Sequence, residues 1–258
     1  MRALSFDADQ TLWDFHRVQR RALEATARTM IERLIELAGW RPGDRIIEIG
    51  AGTGQLTIPL AQRGLLVTAI EPGPALCAEL RDRATDIDRV EVVNALYEEA
   101  EIAHRAAGVV AANSLHWLEP TTAYQRIAGQ LKLDGALALL WNFPVAATDA
   151  VQRELNERAW TSPLADLRRN LPSDTTALEH SLEHGRRELI ASGHFSAPTW
   201  QMNTRREQWT IDRLARFCAS LASTAGQLGL IVERLAALGL DEPIDMLDRV
   251  YTSVARRV

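Results

Sequence analysis

Residues 46–56 read IIEIGAGTGQL, and the fold turns on that stretch. Ile46, Ile47 and Ile49 make a short β-branched run that suits a strand buried on both faces. Gly50, Gly52 and Gly54 follow at alternate positions, and an apolar helical pattern begins at Leu56. Alternate glycines bring the main chain close to a ligand and allow backbone torsions that other residues avoid. A strand, a glycine turn and a helix in that order place the turn at the carboxyl edge of an open α/β sheet, where such sheets bind ligands.

The spacing narrows the ligand. A dinucleotide loop reads G-x-G-x-x-G, and counting from Gly50 its third glycine would fall on Gln55. That fingerprint is absent, which disfavours a dehydrogenase. The pattern is instead E-x-G-x-G-x-G, with Glu48 inside the strand. A second apolar run, LLVTAIE (65–71), ends in Glu71 about twenty residues further on. A carboxylate there accepts hydrogen bonds from both hydroxyls of a ribose and repels a phosphate. The loop therefore asks for a nucleoside with no pyrophosphate against the glycines.

Outward from this stretch, strands and helices alternate. VEVVN (90–94), GVVAAN (108–113) and GALALLW (135–141) read as the third to fifth strands, and helices are expected over Leu56–Gln62, Ala75–Arg83, Tyr97–Arg105 and Thr122–Leu131. Near-continuous apolar strands separated by helices mean a parallel sheet covered on both faces. Upstream, Leu23, Met30, Ile31, Leu34, Ile35 and Ala38 share one helical face across 18–38, and Gly39 ends it. Beyond Pro144 the alternation fails. Residues 145–190 are polar and helical with breaks at Pro163, Pro172 and Gly185; helices fall around 211–239; TWQMNT (199–204) and DRVYTSVARRV (248–258) supply two more strands. The expected fold is α/β: a Rossmann-like, seven-stranded, mostly parallel sheet, divided into an N-terminal helical segment (1–39), a nucleoside-binding core (40–144) and a C-terminal part (145–258) of the same domain.

Composition excludes several functions. The chain of 258 residues has 47% apolar and 24% charged residues and a formal charge of −5, without the clustered Lys and Arg of a nucleic-acid surface. No apolar run reaches the ~18 residues a membrane helix needs, and the N-terminus is not a signal peptide, so a cytoplasmic protein is expected. Cys77 and Cys218 form neither a metal nor a redox spacing and read as structural thiols. His180 and His184 share a helix face, but zinc would need a third ligand; no metal is expected. Trp160, Trp200 and Trp209 either cover an apolar substrate or fill a core.

Taken together, RPGDRIIEIGAGTGQLTIPLAQRGLLVTAIEPGPAL (41–76), NSLHWLEP (113–120) and LKLDGALALLWNFP (131–144) resemble the class I S-adenosylmethionine-dependent methyltransferases, and within them the type 11 small-molecule methyltransferases. Where that family has a Pro-Gly-Gly turn this chain has Leu133-Asp134-Gly135. The resemblance implies S-adenosyl-L-methionine as cofactor and methyl transfer to a small acceptor by in-line displacement. It implies that Gly50, Ala51, Gly52 and Gly54 line the methionine part, with Glu48 near its amino group. Glu71 and Pro72 would hold the ribose, Asn94, Ala95 and Leu96 the adenine edge, and Asn113 and Ser114 the region of the sulfonium. Trp13, His116, Trp117, Trp141 and Asn142 would line the acceptor pocket. His116 is either a general base, since histidine titrates near neutral pH, or part of the pocket wall. A non-catalytic cofactor-binding protein is the alternative.

The opening FDADQTLWDF (6–15) carries a second resemblance, to the first motif of haloacid dehalogenase-type phosphatases, through Asp7, Asp9 and Thr11. No later Asp-Asp pair accompanies it, and an aspartate pair without its scaffold is not a site. Phe6, Asp7, Trp13, Asp14 and Arg17 also match the start of type 11 methyltransferases, with Gln10 for Ala and Trp13 for Tyr. That segment covers the cofactor in the family, so a lid is expected over 1–39, with a relic of gene fusion as the alternative.

Overall fold

A computed structural model describes residues 30–148, 175–220, 228–237, 239 and 242–258. The FDADQTLWDF segment and Trp13 lie outside these, as do the first part of the expected 18–38 helix and most of the 145–174 stretch. The strands are β1 (Arg45–Ile49), β2 (Leu66–Glu71), β3 (Val90–Asn94), β4 (Ala106–Ala112), β5 (Leu131–Ala146), β6 (Thr199–Trp209) and β7 (Ile244–Arg256). The helices are α1 (residues 30–38), α2 (Thr57–Gln62), α3 (Pro74–Arg83), α4 (Pro120–Gln130), α5 (Thr175–Ala191), α6 (Ile211–Ser220) and α7 (Leu228–Ala237), with a 3₁₀ turn at Leu115–Trp117.

The strands form one seven-stranded sheet in the order β3-β2-β1-β4-β5-β7-β6. β1 pairs in parallel with β2 and β4, β2 with β3, and β4 with β5. β7 runs against β5, because Arg257 N–H bonds Gly135 C=O at one end while Ala147 N–H bonds Asp245 C=O at the other. It runs against β6 too: Arg206 meets Asp245 while Trp200 meets Tyr251. The strand order reverses beside β1, so the carboxyl ends of β1 and β4 frame the switch-point crevice in which open α/β sheets bind ligands.

Period-2 alternation builds the two cores on either face. Ile47, Ile49, Val109, Ala111, Leu137 and Leu139 pack on one side. Ile46, Val67, Ala69, Val110, Ala136 and Ala138 pack on the other with α1 and Trp40. Trp40 lies against Gly108 so closely that a Cβ there would stand 2.3 Å from Cε2 of the indole. The described residues divide into two compact units. The larger runs through Trp141 and takes in Arg186–Gln201 and Tyr251–Val258; the smaller contains Asn142–Gly185 and Met202–Val250.

Three expected elements differ. The Tyr97–Arg105 helix is a single turn, in which Glu99 and Ala100 both donate to the carbonyl of Leu96. Tyr97 is buried and bonds Gln130 at 2.6 Å, and Arg126 takes the Ala100 carbonyl that a further helical turn would have used. β5 is longer than 135–141 at both ends. Its start is irregular, with a register shift opposite Ala106/Gly108 and Asp134 at φ 60°. Asp tolerates that left-handed region better than most residues. Gly185 does not break α5, since no packing depends on it and an interior glycine costs only about 1 kcal/mol relative to alanine.

Gly108→Ala tests the indole contact. Overpacking of this kind costs about 1–3 kcal/mol, and thermal unfolding is expected to show Tm lowered by roughly 2–10 °C.

Candidate functional site

β1 delivers Gly50, and the chain then folds back on β2: the amides of Gly50 and Ala51 both donate to the carbonyl of Ile70, at 2.9 and 3.1 Å. The three glycines serve different ends. At Gly50 (φ 68°) a Cβ would stand 2.6 Å from Cβ of Ser114, and at Gly54 (φ 89°) it would stand 2.2 Å from Cδ1 of Leu80. These two are demanded by packing. At Gly52 (φ 55°) a Cβ would meet nothing nearer than Oε1 of Gln55 at 3.7 Å. Gly52 is therefore the one whose bare face looks onto open space.

Glu71, at the carboxyl end of β2, locks the loop. Its Oε2 accepts the amide of Gly52 at 2.9 Å, and its Oε1 accepts the amide of Gly73 at 2.8 Å. One carboxylate thus holds the turns after both β1 and β2. Burial raises its pKa, and the two amide donors oppose that rise. Each oxygen still has a free lone pair, because an ionised carboxylate accepts about four hydrogen bonds.

Glu48 is buried at 2% exposure and accepts the hydroxyl of Thr57 at 2.6 Å. Burial pushes its carboxyl up to about 8, with the charge of Glu71 adding to the rise, so it is largely protonated at neutral pH. Arg83, from α3, donates to the carbonyl of Thr53 at 2.6 Å and braces the loop from outside.

Asn94 ends β3 with its amide hydrogens committed to the carbonyls of Glu71 (2.9 Å) and Pro72 (3.0 Å). With the donors so used, the side chain offers a ligand only its acceptor, Oδ1. Leu96, two residues on, is half-exposed at 50%. At the end of β4, Asn113 adopts φ 52° and its amide bonds Leu140 of β5 at 2.9 Å. The Ser114 hydroxyl donates to the carbonyl of Ile49, tying the ends of β4 and β1 together. His116 and Trp117 follow in the 3₁₀ turn with ring centroids 5.0 Å apart. Both are exposed by surface area, yet atoms crowd the imidazole enough that desolvation lowers its pKa and favours the neutral ring. Trp141 lies on the same side of the sheet as Leu139 and stacks near Tyr251 at 5.7 Å. Asn142 belongs to the smaller unit. Among the described residues no cluster of His, Cys, Asp and Glu is arranged to hold a metal ion, and no helix is long and apolar enough to cross a membrane.

Thr57, Gly73 and Arg83 are the site residues that sequence reading missed. Pro72-Gly73-Pro74 was a visible turn, but nothing local marks Thr57 or Arg83, whose partners lie 9 and 30 residues away.

A family model described as a methyltransferase domain matches residues 46–135. An uncharacterized methyltransferase of Mycobacterium tuberculosis (strain H37Rv) is 31% identical over 198 residues, spanning 72% of this chain and 78% of its own length. Among solved structures, the YcgJ protein of Bacillus subtilis superposes with a TM-score of 0.56 at 12% identity, over 91% of this chain and 98% of its own. A geranyl diphosphate C-methyltransferase of Streptomyces coelicolor, solved with Mg²⁺, geranyl diphosphate and S-adenosyl-L-homocysteine, gives 0.51 at 14% identity, over 93% and 82%. The chain belongs to the S-adenosylmethionine-dependent methyltransferases. S-Adenosylmethionine is its cofactor, and the bare face of Gly52 beside a carboxylate with unused lone pairs fits that compound.

The raised carboxyl of Glu48 has a consequence for stability. Between its ordinary 4.5 and about 8 the folded chain holds a proton that the unfolded chain has lost, so stability falls as pH rises through that window. Relative to Glu48→Gln, denaturant unfolding of the parent is expected to lose stability with a slope approaching about 1.4 kcal/mol per pH unit there.

Proposed function

We propose that the chain transfers the methyl group of S-adenosylmethionine to a small-molecule acceptor by direct in-line displacement. The observation that carries this reading is the Glu71 carboxylate fastened to the Gly52 amide, with the open side of Gly52 next to it. When bound, the cofactor supplies a methyl group activated by positively charged sulfur. Gly50, Ala51, Gly52 and Gly54 line its amino-acid part. Glu48 supports the loop through Thr57. Glu71 offers its remaining lone pairs to the ribose hydroxyls, and Pro72 flanks it. The Oδ1 of Asn94 accepts from the exocyclic amine of adenine, with Ala95 and Leu96 against the base. Asn113 and Ser114 lie at the reacting end, where His116, Trp117 and Trp141 line the acceptor side.

Placement is the main contribution of such a site. Holding two reactants in line supplies on the order of 7–11 kcal/mol. A formal charge of −5 without a basic cluster supports a small acceptor over a nucleic acid. The S. coelicolor enzyme, which shares the fold, gives a precedent for a small one.

Isothermal calorimetry with S-adenosyl-L-homocysteine tests the crevice. Gly52→Val forces a β-branched side chain into a left-handed torsion and fills the open face; Glu71→Ala removes the ribose acceptor and frees the loop. Each is expected to weaken binding at least tenfold, and binding equal to the parent in both overturns the assignment. His116 is assigned as the general base for acceptors that must lose a proton. The parent is then expected to show an acid limb in kcat/KM below the ordinary imidazole value of 6.5, in the direction that burial shifts it. Loss of that limb in His116→Ala is the expected result, and its persistence assigns the titration elsewhere.

A further inference from the structure

The edge of the larger unit opposite the cofactor crevice carries charges of both signs. β4 begins at Ala106 and β5 at Leu131, so their amino ends lie at that edge, and β7, which runs against β5, finishes there. An open cleft of about 480 Å³ lies alongside, lined by Glu99, Ala100, Glu101, Ile102, Arg126 and Gln130, the residue before Leu131. Glu99 and Glu101 are exposed on its rim. Arg126 is committed elsewhere: its guanidinium donates to the Ala100 carbonyl and lies over the Tyr97 ring, 5.3 Å from the centroid.

Cations stand just past the cleft. Arg105 and Arg257 both donate from Nη1 to the carbonyl of Leu131, the first at 3.3 Å. Two guanidinium groups therefore share one neutral acceptor at the end of α4. Like charges so close repel, and the carboxyl end of a helix offsets only part of that repulsion. Lys132 is exposed beside them. Leu133 follows at 77% exposure, the most exposed large apolar side chain among the described residues. Among those residues, neither the three cations nor Glu99 and Glu101 enter an ion pair.

This edge calls for a partner that brings both signs of charge. A nucleic acid or an acidic peptide would answer Arg105 and Arg257 but would be repelled by Glu99 and Glu101. A second copy of the chain carries both groups. Turned about a two-fold axis, it sets its cations against the acidic rim and offers its own rim in return, which makes the surface complementary to itself. We propose that the chain forms an isologous dimer through this edge, with Arg105 of each copy against Glu101 of the other, Lys132 against Glu99, and Leu133 over the facing cleft. The contact lies at the amino ends of the parallel strands, so the cofactor crevice of each copy stays open.

Sedimentation velocity on the full chain reads the association. The parent is expected to pass from monomer to dimer with a Kd on the order of 10 µM, in keeping with a small, polar interface. Arg105→Glu and Glu101→Arg, each alone, are expected to weaken the dimer by about tenfold or more, because like charges then face each other. An equimolar mixture of these two variants is expected to restore it to within about threefold of the parent, since every facing pair is again of opposite sign. Lys132→Glu and Glu99→Arg form a second pair with the same expectation, and Leu133→Asp is expected to weaken the dimer without rescue by mixing. All five side chains are exposed, so circular dichroism and affinity for S-adenosyl-L-homocysteine are expected to match the parent. A parent that stays monomeric at about 100 µM overturns the proposal. So do single variants as dimeric as the parent, mixtures no better than either variant alone, or open-ended polymers in place of a dimer.

Discussion

A single carboxylate binds the two turns on which the crevice is built. Glu71 accepts the amide of Gly52 on one oxygen and the amide of Gly73 on the other. Its main-chain carbonyl accepts from the thiol of Cys77 and the amide of Asn94. The residue is therefore held by α3, by β3 and by the loops after β1 and β2. It is 5% exposed; burial raises the pKa of its carboxyl, and the two backbone amides that it accepts oppose that rise. Those donors shape the Gly52 turn, and a displaced Glu71 would leave that turn without its anchor.

The sheet explains why this carboxylate is so placed. β1 lies between β2 and β4, and its register with β2 sets Glu48 opposite Ala69 and Ile49 opposite Ile70. Both amides after Ile49 then find the Ile70 carbonyl, and the loop turns toward Glu71 one residue further on. From the other side, Ser114 reaches the Ile49 carbonyl and presses on Gly50. The crevice is thus bounded by hydrogen bonds from neighbouring strands, and the apolar alternation of β1, β4 and β5 keeps those strands in register through burial on both faces.

Glu48 and Asp248 show a common principle in different places. Each is a carboxyl raised chiefly by burial and then by a neighbouring carboxylate. Glu48 is matched by the Thr57 hydroxyl and its role is internal. Asp248 keeps an unmatched oxygen.

The sequence alone determined the α/β class, all seven strands and the glycine turn, because these depend on local quantities: β-branched runs, alternate glycines and the spacing to the next acidic strand end. It also marked Glu48 and Glu71 as a pair. It misjudged the Tyr97–Arg105 stretch, where helical composition yields to a side-chain bond between Tyr97 and Gln130, 33 residues apart, and to Arg126 on the Ala100 carbonyl. Only the tertiary structure decided that Asn94 has spent its donors, that Gly50 and Gly54 answer to packing while Gly52 answers to open space, and that Asn142, Glu207 and Asp248 come together from three strands. The reason is the same in each case: a hydrogen-bond partner or a clash is fixed by which strands become neighbours, and no window of consecutive residues contains that information.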